Sequence, residues 1–161
     1  MGKGPYSKKI VEAIKNFLIK DGWNFSFDEC QGVFIFELSL KGRINRIKYV
    51  ISIDKNYYIV YAISPISVEQ DDEKRMLAMS EFVCRANYGL KSGCFELGMD
   101  DGEIRFKNFV GCQGIVPTMK MIRDSIHIPA AMFDQYSSGL VNIILGDTIA
   151  KDEIARCEKN G

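Results

Sequence analysis

The chain has 161 residues, 47% of them hydrophobic and 26% charged, which suits one packed domain spanning 1–161 and excludes wholesale disorder. Its 21 Lys and Arg balance 21 Asp and Glu, so the positive excess that a general nucleic-acid binder or a polybasic membrane module needs is missing. The balance is uneven along the chain, with nine Lys/Arg against five Asp/Glu in residues 1–48 and twelve against sixteen beyond.

Met1-Gly2-Lys3-Gly4-Pro5 has no apolar core and no small-residue cleavage site, so no secretory leader is expected. Residues 7–20 then read as an amphipathic helix, with Ile10, Val11, Ile14, Phe17 and Leu18 on one face, Ser7 as its cap and Asp21-Gly22 as its stop. From Trp23 the apolar period falls to two. Phe25 and Phe27, then Phe34, Phe36 and Leu38, then Ile47, Tyr49, Ile51 and Ile53, then Tyr57, Ile59, Tyr61 and Ile63 alternate with their neighbours. Four strands joined by short turns are adjacent and antiparallel. Lys41, Arg43, Arg46 and Lys48 fall at one of these turns and read as a solvated hairpin tip.

Ser67-Val68-Glu69-Gln70 matches a capping box and predicts a helix over 68–88, with the acidic run to Glu73 complementing its dipole. Met76, Met79, Phe82, Val83 and Ala86 form its apolar stripe, and Asn87-Tyr88-Gly89 closes it. Asp101-Gly102 predicts a two-residue hairpin loop that pairs Met99 with Ile104, Leu97 with Phe106 and Glu96 with Lys107, and it requires positive φ at Gly102. Pro117 suits a first helical position, Pro129 should end or kink that helix, and Ser137-Ser138-Gly139 reads as a weak point. Gly146 stops the pattern, and Thr148 is placed to cap a last helix carrying Ile154 and Cys157. The expected fold is α+β, in the order α-β-β-β-β-α-β-β-α, with five or six antiparallel strands flanked by helices.

The chemistry-bearing residues are sparse. Cys30, Cys84, Cys94, Cys112 and Cys157 are odd in number and widely spread, and with the single His127 they offer no metal-ligand spacing. They are expected to be free and mostly buried thiols in a reducing cytoplasm. Asp124, Ser125 and His127 lie too close along one helix to act as orienter, nucleophile and base. Asp100-Asp101-Gly102-Glu103 is contiguous where a calcium loop alternates. No phosphate-cradling glycine loop and no nucleophile elbow occurs, and the longest apolar run, Tyr57 to Ile63, is far short of a membrane span. The chain is therefore expected not to be an enzyme, to have no catalytic or metal residues and to use no cofactor.

Glu81-Phe82, Arg85-Ala86-Asn87-Tyr88-Gly89-Leu90, Gly93-Cys94-Phe95-Glu96-Leu97 and Asp101-Gly102-Glu103-Ile104-Arg105-Phe106 resemble the YbjN-domain family. Those bacterial proteins are described as candidate regulators of sensory transduction and share the fold of class I type III secretion chaperones. The resemblance implies that fold and pairing into homodimers. It carries no catalytic residue.

Together these readings favour a non-enzymatic, chaperone-like interaction or regulatory module whose partners are itself and another protein, with no nucleic acid and no membrane. The dimer surface is expected where strands are apolar on both faces, at Val33 and Ile35 and at Tyr58, Val60 and Ala62. The alternative is a small-ligand sensor with a pocket between sheet and helices, lined by some of Tyr49, Tyr57, Tyr58, Tyr61 and Tyr136.

Overall fold

The structure is a computed structural model that describes residues 5–159; the leader reading rests on Met1 to Gly4, which lie outside the described residues. Helix α1 (Lys8–Lys20) is followed by strands β1 (Phe25–Asp28), β2 (Val33–Ser39), β3 (Arg46–Ile53) and β4 (Tyr57–Ile63), helix α2 (Glu73–Asn87), strands β5 (Cys94–Leu97) and β6 (Ile104–Gly111), and helices α3 (Met119–Leu145) and α4 (Ala150–Lys159). The strands form one six-stranded sheet in the order β1-β2-β3-β4-β6-β5, and every pairing is antiparallel. This is the α+β architecture that the change of period implies.

Helix α1 begins and ends as its sequence dictates. The Ser7 hydroxyl accepts from the Ile10 N–H. At the other end Gly22 adopts φ +75°, so its N–H reaches the Ile19 carbonyl while the Trp23 N–H reaches the Leu18 carbonyl.

Helix α2 does not begin as its sequence suggests. Ser67-Val68-Glu69-Gln70 forms no capping box; Asp72 caps the helix, its carboxylate accepting from the Arg75 N–H and pairing with the Arg75 guanidinium. Val68 is buried, and its N–H donates to the Gly102 carbonyl at 3.1 Å. That tie to the β5–β6 hairpin holds 66–69 out of helical geometry, and tertiary packing overrides the local signal. Only Glu73 of the acidic run stands in the first turn.

The hairpin also differs from its expected register. Leu97 pairs with Ile104, Phe95 with Phe106, Glu96 with Arg105 and Cys94 with Lys107. The Gly98 N–H donates to the Glu103 carbonyl and the Gly102 N–H to the Gly98 carbonyl, which closes a loop over Met99–Gly102. Gly102 has the expected positive φ of 70°, but Asp101 does not, so the two positive φ values of a two-residue type I′ loop are not met.

Helix α3 runs unbroken through Pro129, and Thr118, not Pro117, leads into it: its hydroxyl accepts from the Met121 N–H. A proline inside a helix costs about 3 kcal/mol. Burial of Ile122, Ile126, Phe133 and Leu140 on both sides offsets it, at about 1.5–3 kcal/mol each. The expected weak point at Ser137-Ser138-Gly139 is instead a close crossing, where a Cβ on Gly139 would press on the Phe82 ring and the Cys157 sulfur. Thr148 does not cap α4: the Ile149 carbonyl accepts from Asp152 and Glu153, and the buried Thr148 hydroxyl has no partner among the described residues. The basic β2–β3 turn is not free in solvent either. Ile44 is buried, the Gly42 N–H donates to Asp134, and Arg43 donates to Asn142 of α3 at 2.5 Å.

Candidate interaction face

Alternation along the strands divides the sheet's residues into two sets with different fates. Phe34, Phe36, Tyr49, Ile51, Tyr58, Val60, Ala62, Phe95 and Phe106 are buried beneath the helices. Tyr58, Val60 and Ala62 therefore belong to the core, correcting their expected place on the outer side; the register puts Val60 beside Ile51 and Ala62 beside Tyr49. Tyr57, Ile59, Tyr61 and Ile63 take the outer side instead. With them stand Val33, Ile35 and Val50, none of them buried, and Phe109, which is 57% exposed.

The pairings order this outer face into transverse rows. One runs Val33, Ser52, Ile59, Phe109, and the next runs Ile35, Val50, Tyr61, Lys107. A third runs Glu37, Lys48, Ile63, Arg105, Glu96. The first two are apolar except at Ser52 and Lys107, and the third forms a mostly charged margin. Tyr57 and Phe109 lean together with ring centres 5.2 Å apart.

The charged margin is mostly paired within itself. Arg105 donates to Glu96 at 2.7 Å and approaches Glu103 at 3.7 Å, while Lys107 donates to Glu96 at 3.2 Å. The Arg105 guanidinium lies 4.5 Å from the centre of the Tyr61 ring, a cation–π contact. Partial burial pushes the Glu96 carboxyl up, but its bonds from Arg105 and Lys107 outweigh this and hold it below the usual carboxylate range. Arg46 pairs with Glu37 at 3.4 Å.

The tyrosines expected to line one pocket are split between two sides of the sheet. Tyr57 and Tyr61 are outside, whereas Tyr49 and Tyr58 are fully buried. The Tyr49 hydroxyl donates to the Ile126 carbonyl at 2.5 Å, and that of Tyr58 lies 3.2 Å from the Ser125 hydroxyl. Burial raises both phenols, that of Tyr58 to about 12. Tyr136 packs against Phe82 and Phe95. These rings are structural pins between sheet and helices.

Nor do Asp124, Ser125 and His127 meet as a triad. Ser125 is buried against Tyr58, His127 is exposed, and Asp124 is bound to Lys120 at 2.5 Å. The five thiols are free, but only Cys112 and Cys157 are buried; Cys30 and Cys84 are exposed and Cys94 is intermediate, so the expectation of mostly buried thiols is corrected. Among the described residues no cluster of three or more His, Cys, Asp or Glu is arranged to hold a metal, and no helix is long and apolar enough to cross a membrane.

Sequence reasoning assigned Asn87 a role in ending α2 and missed what its side chain does. Its Oδ1 accepts from the Phe95 N–H and its Nδ2 donates to the Phe95 carbonyl. The Arg85-to-Leu90 motif thus supplies a clamp for the edge of the sheet. Gly89 needs no left-handed backbone there.

No family model matches the chain. No curated protein matches it either. Among solved structures it is similar to YbjN of E. coli, a candidate transcription regulator, with a TM-score of 0.55 and 13% identity over 80% of this chain and 92% of that one. The chain has the YbjN fold. At 13% identity the likeness carries architecture alone.

Proposed function

We propose that the protein is a non-enzymatic interaction module of the bacterial cytoplasm, which pairs with a second copy through its open sheet face and serves as a regulatory or chaperone-like element for another protein. The observation that carries the reading is the apolar field of Val33, Ile35, Val50, Ile59 and Phe109, left uncovered by the helices. A soluble chain seldom leaves so continuous an apolar surface unpartnered. The margin beside it holds Arg46, Lys48, Arg105 and Lys107 against Glu37, Glu96 and Glu103, mostly bonded to one another. Such a surface suits a protein partner over a nucleic acid, which would need unpaired positive charge. This reading takes the regulatory theme of the E. coli neighbour without a DNA contact of its own. The free thiols fit a reducing compartment.

Light scattering of the full chain tests the pairing. A mass of twice 18.2 kDa is expected at micromolar concentration, and the double variant Ile35→Asp, Phe109→Glu should reduce it to the monomer while its circular dichroism stays unchanged. A wild-type mass near 18.2 kDa that does not change on tenfold concentration would overturn it.

A further inference from the structure

We infer that the outer edge of β5 is a docking strand for an extended basic peptide segment. Strand β5 ends the sheet on one side and, among the described residues, pairs only with β6. The bond from the Gly98 N–H to the Glu103 carbonyl makes Gly98 a hydrogen-bonded position of the ladder. Alternation then turns the backbone of Phe95 and Leu97 outward, away from β6. At Phe95 the outward N–H and carbonyl are both taken by Asn87. At Leu97 the corresponding pair has no partner among the described residues.

That free pair opens on a groove of about 580 Å³ between β5 and α2, walled by Ser80, Val83 and Cys84. Its size lies in the range that small ligands and short segments fill. An incoming strand would take the two Leu97 bonds and rest on the helix wall, with Asn87 as a stop at one end. Backbone pairing of this kind supplies affinity, and side chains alternating along the incoming segment supply selectivity.

Charge selects the occupant. The groove is lined by three carboxylates, Glu96, Asp101 and Glu103, against one cation, Arg105. Arg105 in the groove wall is already bound to Glu96. The chain is neutral overall, yet the groove lining is net acidic. A second copy's β5 would bring the same carboxylates and be repelled, whereas a segment with Lys or Arg at alternate positions is attracted. This surface borders the open face at Glu96, Glu103 and Arg105 but includes neither Ile35 nor Phe109.

The probe is a fluorescein-labelled heptapeptide of alternating Lys and Val, titrated by anisotropy against the full chain at low salt, with amide exchange followed by NMR. Binding is expected, with exchange at Leu97 slowed about tenfold or more, as a newly bonded edge amide should be. Leu97→Pro removes the outward donor at an edge position that tolerates proline, and should weaken binding by about tenfold. Should that variant fail to fold, the same peptide with N-methylated amides makes the test on the wild-type chain and should not bind. An alternating Glu/Val peptide should not bind either. No binding of the Lys/Val peptide, unchanged exchange at Leu97, or undiminished binding of the N-methylated peptide would overturn the inference. Ile35→Asp with Phe109→Glu should leave peptide binding intact, so failure here and failure of the pairing are read separately.

Discussion

Asn87 holds Phe95 by both atoms of its amide: Oδ1 accepts from the Phe95 N–H at 2.7 Å and Nδ2 donates to the Phe95 carbonyl at 2.8 Å. One side chain at the end of α2 thus stands in for a neighbouring strand. It fixes helix to sheet edge, and the Phe95 ring it positions packs edge-on against Phe106, Phe133 and Tyr136.

Asn87→Ala leaves a partly buried donor and acceptor unpaired, and should destabilise by about 2–4 kcal/mol, at one to two kcal/mol for each bond. Asn87→Asp keeps the acceptor and loses the donor, so it should fall between wild type and Ala. Urea denaturation reads the order, and an alanine variant as stable as wild type would show that the clamp is idle.

Gly102 and Gly22 separate backbone strain from collision. Both have positive φ, 70° and 75°. A Cβ at Gly22 meets nothing, whereas one at Gly102 runs into the Val68 carbonyl. Gly22→Ala should therefore cost about 1 kcal/mol, the left-handed penalty alone. Gly102→Ala should cost at least about twice that, and Gly102→Val more, because 66–69 must move as well. Equal losses at the two sites would refute the close approach.

Gly139 sits within α3, where alanine is intrinsically better by about 1 kcal/mol. The neighbouring Phe82 ring and Cys157 sulfur leave no room for its methyl. Gly139→Ala should lower the melting temperature in spite of the gain in helix propensity. A raised melting temperature would mean that α2 and α4 yield readily.

Alkaline conditions should weaken the fold through its buried phenols. The Tyr58 hydroxyl is raised from 10.0 to about 12 by burial. Between those values the unfolded chain has lost the proton and the folded chain keeps it, so stability is full below the lower value and falls as pH rises through the upper. Tyr58 alone contributes a slope of about 1.4 kcal/mol for each pH step in that window. Denaturation at about pH 9 and about pH 11 should show the decline, and Tyr58→Phe, with no phenol to ionise, should show a shallower one. The same slope in both proteins would remove Tyr58 from the account.

Period and end signals, which act over a few residues, determined by themselves the order of elements, the antiparallel meander from Phe25 to Ile63, the bounds of α1 and the left-handed backbone of Gly102. These depend on local sterics and on which residues share a face, and a sequence states both directly. The uncovered Val33 and Ile35 were legible in the same way. Only the tertiary structure decided the β5–β6 register, because Leu97 opposite Ile104 differs from Met99 opposite Ile104 by two residues and leaves every side chain on its original face. It also decided where α2 begins, since the Val68 N–H is bound to the carbonyl of Gly102, a residue far along the chain. It placed Tyr58 inside and Tyr61 outside on one strand whose two faces are similarly apolar, a choice that depends on where the helices lie. The Asn87 clamp falls in the same class: asparagine at a helix end reads as a terminator, and its grip on Phe95 exists only once β5 has folded back along α2.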